Sequence, residues 1–207
     1  MAATLTAPPP TLQPATYGHD ASVARFSVAS YQRMVETGIL TAEDKVELLE
    51  NYVVLKMPRT PRHDGTIQIV TDPLARAVPQ GWCLRAQLTV VLTDSQPEPD
   101  FAVVRGTARA YLGRHPTPAD VGTLMEVADS SLLRDQRDKT RIYARGSIPW
   151  YWILNLVDNR VEVYSQPSGP TAVPAYGSFQ TYQPGDTVPL MLDGVPVASI
   201  AVADLLP

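Results

Sequence analysis

The sequence predicts an α/β (α+β) protein in which a mixed β-sheet is flanked by helices and extended by added strands at its C-terminal end. Two apolar patterns and the composition carry that expectation. Apolar residues recur every three or four positions across 27–38, 63–78 and 132–145, the period of a helix with one buried face. Between and after these windows lie short β-branched or aromatic runs bounded by Pro, Gly, Asn or Asp, as strands require. With 207 residues, 44% of them hydrophobic, the chain is long enough to build a sizeable core.

Residues 1–22 are rich in Pro, Ala and Thr and hold too little apolar surface to order themselves, so they read as a tail before a single domain over 23–207. Ser27 is placed to cap a helix carrying Val28, Tyr31, Met34 and Val35 on one side and stopping at Gly38. Val46–Leu49 and Val53–Met57 are apolar runs around Glu50-Asn51-Tyr52, and Asn51 tolerates the left-handed backbone of a tight hairpin. From His63 to Val78 the residues Ile67, Val70, Leu74, Ala77 and Val78 predict a helix in which Pro73 is a flaw. Strands are expected at Trp82–Leu92, Phe101–Val104, Leu124–Val127, Tyr151–Leu156 and Arg160–Tyr164. A helix over Leu132–Arg145, ended by Gly146, separates the third strand from the fourth. Residues 167–207 read as further strands and loops, with Val197–Leu206 returning to the core.

Cys83 is the only cysteine, which excludes an intrachain disulfide framework and a cysteine-based zinc cluster and fits a reducing compartment. No cationic start precedes an apolar run, and no stretch approaches the length of a membrane span, so a cytosolic location is expected. The net charge of −4 provides no global attraction to nucleic acid and argues against tight, non-specific DNA binding.

The chemistry concentrates in Glu50, Asp100 after Pro99, Glu126 in LMEVADSS, and Lys139 in DQRDK. Asp100 begins one expected strand and Glu126 lies on another, so both carboxylates can project into one site. Hard oxygen donors on a rigid sheet suit Mg²⁺ or Mn²⁺, which takes one or two protein carboxylates, waters and a substrate phosphate. A lysine on the following helix can reach back to hold the phosphate or orient a water. Glu50 would be a third acid, and His63 could contact substrate or a site carboxylate. These residue types fit a metal-dependent phosphodiester hydrolase.

Taken singly, each has an ordinary use: Asp100 as a turn former, Glu126 on a solvent-facing strand, Lys139 as a solvated helix charge, and His63 bonded to the backbone at a helix start. Asp129, Ser130 and Ser131 most simply cap the next helix, while Asp135 is a candidate partner for Lys139. His19 and His115 read as surface residues. Trp150, Tyr151 and Trp152 fit core or dimer packing better than base stacking. A serine or cysteine nucleophile has little support, since there is no Gly-x-Ser-x-Gly elbow and no evident histidine for Cys83.

The run LMEVADSSLLRDQRDKTRIYARGSIPWYWILNLVDNRVEVYSQP, with QPEPDFAVVR and FSVASYQRMVETGILTAEDKVELLENYVVLKMP before it, resembles the Uma-type restriction endonuclease family, long called a domain of unknown function, within the PD-(D/E)XK nuclease superfamily. The resemblance covers roughly residues 25–206. It implies a restriction-endonuclease-like core, a divalent metal, DNA as substrate, and catalytic roles for Asp100, Glu126 and Lys139, with Glu50 and His63 also on motif positions. A homodimer is the natural expectation, because cutting two strands is easiest with two sites. The chain departs from the pattern in three places. Ala128 stands where the superfamily has its lysine, which points to Lys139 on the following helix. Glu50-Asn51-Tyr52 replaces Glu-Gly-Glu, and Trp150 replaces the glutamate of Gly-Ile-Pro-Glu-Tyr-Trp. The alternative from another class is a catalytically silent protein that binds nucleic acid or a partner on a nuclease fold.

Overall fold

The structure, a computed structural model, describes residues 23–207; the tail expected over 1–22, and His19 with it, lies outside them. Its centre is a mixed sheet of strands β3 (Trp82–Ala86), β4 (Phe101–Arg105), β5 (Val121–Ala128), β6 (Trp150–Asn155), β7 (Arg160–Pro167) and β8 (Tyr176–Tyr182), in that spatial order. All neighbours are antiparallel except β5 and β6, which run parallel and are joined by a helical crossover. That parallel step is what the helix between two apolar runs predicts, since parallel strands cannot be joined by a tight turn.

Alternation along the strands divides the core in two. Phe101, Val103, Met125, Val127, Trp152 and Leu154 face one side, where they meet helix α2 (Pro61–Ala77) through Val70 and Leu74, and the hairpin β9 (Thr187–Leu192) and β10 (Val195–Ala201). Ala102, Val104, Leu124, Ala128, Tyr151 and Ile153 face the other, covered by Ile142 and Tyr143 of the crossover helix. Ile200, Val202, Leu205 and Leu206 are buried on the first side, so the C-terminal segment returns to the core as expected. The hairpin β1 (Val46–Leu49) and β2 (Tyr52–Leu55) forms a separate pair, tied to the loop before β4 by the bridge Leu48–Gln96.

Local chemistry explains the boundaries. Ser27 accepts from the Ser30 amide at the start of helix α1 (Val28–Glu36). Of its apolar stripe only Tyr31 is buried, and Val35 is 50% exposed. Helix α2 begins before His63: Thr60 caps it, Pro61 occupies its first turn where no amide partner is needed, and Pro73 lies within it without ending it. The strand expected over Trp82–Leu92 stops at Ala86. Gln87 takes a positive φ of 54°, which no extended strand accommodates, and residues 87–99 form a loop.

The crossover helix is continuous but not uniform. Its α-helical turn α3 (Leu132–Arg134) passes into a π-helical segment, Asp135–Lys139, and then into α4 (Thr140–Arg145), capped by Gly146. The expected capping by Asp129 and Ser131 does not occur. Asp129 instead accepts from the Thr60 hydroxyl at 2.7 Å, and the Ser131 hydroxyl turns to Asp135 at 2.5 Å. Tyr151 and Trp152 are fully buried and Trp150 packs against the core, the structural use expected for that aromatic cluster.

Candidate active site

Register brings the two expected acids together. Phe101 pairs with Met125 across β4 and β5, so the preceding Asp100 lies opposite Glu126. Both belong to the face covered by the crossover helix. The Asp100 amide donates to Glu126 Oε2 at 3.3 Å, while Asp100 Oδ2 accepts from the Val127 amide at 2.8 Å. Two carboxylates are thus locked to backbone on adjacent strands, with little freedom to move apart.

Lys139 reaches the same point. Its ammonium donates to Glu126 Oε1 at 3.2 Å and to Glu47 Oε2 at 3.1 Å. Tyr143, one turn further on, donates to Glu126 Oε1 at 2.7 Å. Asp135, Lys139 and Tyr143 are spaced by four residues, and a regular α-helix would rotate each about 40° from the last. The π-helical segment removes much of that drift, and all three are buried toward the sheet. The wide turn is pinned at the Asp135 carbonyl, which accepts from the Thr140 amide and hydroxyl and from Tyr151 Oη.

His63, in the first turn of α2, places Nε2 3.2 Å from Asp100 Oδ2, and Asp100 raises the imidazole's affinity for a proton against the opposing effect of burial. Asp100, Glu126, Lys139 and His63 are therefore gathered into one cavity of about 90 Å³. Its walls are tied by Thr60 to Asp129 and by Arg134 Nη1 to the Leu55 carbonyl at 3.1 Å.

Glu50, the third acid expected here, is not brought to the cluster. Glu50 and Asn51 both have positive φ, 51° and 68°, and form the two-residue turn between β1 and β2. From the turn the Glu50 carboxylate pairs with Arg141 and Arg145, and the Arg141 hydrogen bond above all holds it down to about 2. Glu47, three residues earlier, takes the place at the cluster and was not anticipated. Its only sequence signal was an acid inside the apolar run Val46–Leu49.

Four carboxylates, Glu47, Asp100, Glu126 and Asp135, line one cavity with a single ammonium, which bonds Glu47 and Glu126, and all five residues are buried. Burial first, then the neighbouring Asp100 and Asp135, push the Glu126 carboxyl up in spite of Lys139. Burial likewise raises Asp135. For Lys139 burial works the other way, but Glu126, Glu47 and Asp135 outweigh it and keep the lysine charged. With all four carboxylates ionised the cluster would hold more negative charge than Lys139 balances, in a setting that tolerates it poorly, and Glu126 and Asp135 respond by holding their protons more tightly.

That donor set fits a divalent cation. Asp100 and Glu126 offer hard oxygens side by side, and a cation would offset the charge that Lys139 alone cannot. Among the described residues no group of three or more His, Cys, Asp or Glu is arranged to hold a metal. An ion here would therefore draw on two carboxylates and keep its other positions for water and substrate, the habit of Mg²⁺ and not of a closed structural site.

A mixed sheet with two buried acids on adjacent strands and a lysine on the crossover helix defines a protein of the restriction-endonuclease-like class. The chain belongs to the Uma2 family, described as "Putative restriction endonuclease", which matches residues 28–203. Its fold is shared by a crystal structure from Anabaena variabilis ATCC 29413, described as a "putative nuclease belonging to DUF820", with a TM-score of 0.65 and 14% identity over 87% of this chain and 97% of that one. No curated protein matches. Among the described residues no helix is long and apolar enough to cross a membrane.

Proposed function

We propose that the protein is a divalent-metal-dependent endonuclease-like phosphodiesterase that hydrolyses DNA. The observation that carries this reading is the convergence of Asp100, Glu126 and Lys139 on one buried point at the end of adjacent strands. Asp100 and Glu126 would hold Mg²⁺ or Mn²⁺, and the bound ion supplies charge neutralisation at the phosphate and lowers the pKa of a water.

The chain's own groups do the rest. Backbone amides and Tyr143 fix the two carboxylates before substrate arrives, so little reorganisation is needed on binding. Lys139, kept charged between Glu47 and Glu126, faces the negative charge that grows on the phosphate oxygens as water attacks phosphorus and the sugar oxygen leaves. His63 steadies Asp100 through its contact with Oδ2 at 3.2 Å. The small cavity limits bulk water around these groups, which strengthens each electrostatic contact.

The test is cleavage of supercoiled, linear and single-stranded DNA by purified protein with Mg²⁺ or Mn²⁺, with chelator as control, alongside Glu126→Gln. Metal-dependent cutting that the variant lacks is the expected result. Cutting that survives chelation, or equal cutting by Glu126→Gln, would remove the reading.

A further inference from the structure

A second and larger hollow lies beside the catalytic cavity. Its volume is about 950 Å³, and it is bounded by α1, the turn that follows it and the chain leaving β2. Tyr31, Val35, Leu40 and Met57 give it apolar walls, and Lys45 and Arg59 line it as well. Lys56, Met57, Pro58, Arg59 and Glu98 belong to both hollows, so the two share a wall. Tyr31 of α1 is buried, but Val35 of the same stripe is 50% exposed and Met57, on the chain leaving β2, 46%, with no element among the described residues covering either. Lys56 is engaged by Glu98 and Arg59 Nη1 donates to Gln87 Oε1 at 3.1 Å, while Lys45 and Arg59 are exposed and form no salt bridge among the described residues.

We infer that this hollow receives an unpaired base of the substrate, next along the strand from the phosphate in the catalytic cavity, so that the protein acts on single-stranded or locally unpaired DNA. The inference rests on the nuclease reading of that cavity. A nucleic-acid strand alternates an anionic phosphate with a flat base whose faces are apolar. A small polar cavity sharing a wall with a large apolar one, with Arg59 in the shared wall and Lys45 lining the larger hollow, matches that alternation. In a duplex the base faces are covered by stacking, and a base reaches a pocket only by leaving the stack.

Fluorescence anisotropy tests this with three labelled probes, in Ca²⁺ to prevent turnover: a single-stranded oligonucleotide, the same strand in a duplex, and an equally long strand of abasic sugar-phosphate units. The expected result is that the single strand binds about tenfold more tightly than the other two. Val35→Trp, which narrows the hollow from an exposed position, should weaken the single strand about tenfold and leave the duplex unchanged. Arg59→Glu is the second variant should Val35→Trp melt early by circular dichroism, and it should weaken the single strand too. Equal binding of the abasic strand, or single-strand affinity unmoved in a folded Val35→Trp and in Arg59→Glu, would overturn the inference and give the hollow to residues 1–22 or a second copy. Plasmid cleavage by the same preparations separates the two readings. Cleavage without base-dependent binding removes only the base pocket, and base-dependent binding without cleavage removes only the nuclease.

Discussion

Glu47 and Glu50 sit three residues apart in one hairpin and serve opposite ends of it. Glu47, in the body of β1, is buried against Lys139, a residue 92 positions later. Glu50, in the turn, is clamped by Arg141 and Arg145. Glu47→Gln should therefore cost about 1–3 kcal/mol of stability in urea unfolding and weaken cleavage, whereas Glu50→Gln should leave cleavage within about twofold and cost about 1 kcal/mol. A large activity loss in Glu50→Gln alone would reverse that assignment. The Glu50 contribution has a defined pH signature. Its folded pKa lies near 2, below its ordinary 4.5, so its stabilisation is complete above 4.5 and fades as pH falls toward 2. The stability gap between wild type and Glu50→Gln should shrink across that window, and a gap independent of pH would contradict the ion pairs. Asp100 and Glu126 were legible through the family resemblance, since taken singly each has an ordinary use as a turn former or a solvent-facing strand residue. Glu47 was not, because an acid between Val46 and Leu48 has the alternation of an ordinary solvent-facing hairpin residue.

Elements position these groups by their ends and irregularities more than by their regular stretches. The start of α2 sets His63 against Asp100, and Thr60 both caps that helix and bonds Asp129 across the cavity. Thr60→Ala should cost about 1–2 kcal/mol and lower activity together with stability, measured by thermal unfolding and plasmid cleavage. The sheet is fixed from its other face where β5 meets β9. A Cβ added at Gly122 would lie 2.4 Å from Leu192 Cδ2 and 2.8 Å from the Trp82 ring. Gly122→Ala should therefore destabilise by about 1–3 kcal/mol through overpacking, and no loss would mean that β9 yields freely. The helix over 132–145 was legible from its apolar spacing, but its π-helical turn was not. Apolar periodicity over so few residues cannot separate two helical pitches, and the turn is held by contacts from Thr140 and the distant Tyr151. The end of β3 escaped detection for a related reason: Gln87 has no intrinsic preference for the left-handed backbone that its bond to the Asp100 carbonyl accompanies.

At the scale of the molecule, charge and shape are unevenly placed. The chain is acidic overall, yet Arg59, Arg62 and Arg134 stand around a cavity whose interior is crowded with carboxylates. Binding of single-stranded DNA should therefore depend on a few local cations, with a slope of log affinity against log salt of about −2 to −3. A slope several times steeper would place the contact surface elsewhere. The mixed sheet flanked by helices was legible from the alternation of helix and strand patterns, whereas the split of the C-terminal segment into a sheet edge and a separate hairpin depends on long-range packing that no local pattern encodes. The proposed metal-dependent cutting centre joins Asp100, Glu126 and Lys139 and leaves out Glu50. The most direct measurement is the rate of Mg²⁺- or Mn²⁺-dependent plasmid nicking by wild type, Asp100→Asn, Glu126→Gln, Lys139→Met and Glu50→Gln, each first shown to be folded. Asp100→Asn, Glu126→Gln and Lys139→Met should each lose at least about a hundredfold and Glu50→Gln should nick at near the wild-type rate; folded Asp100→Asn or Lys139→Met proteins that nick as fast as wild type would rule out this centre.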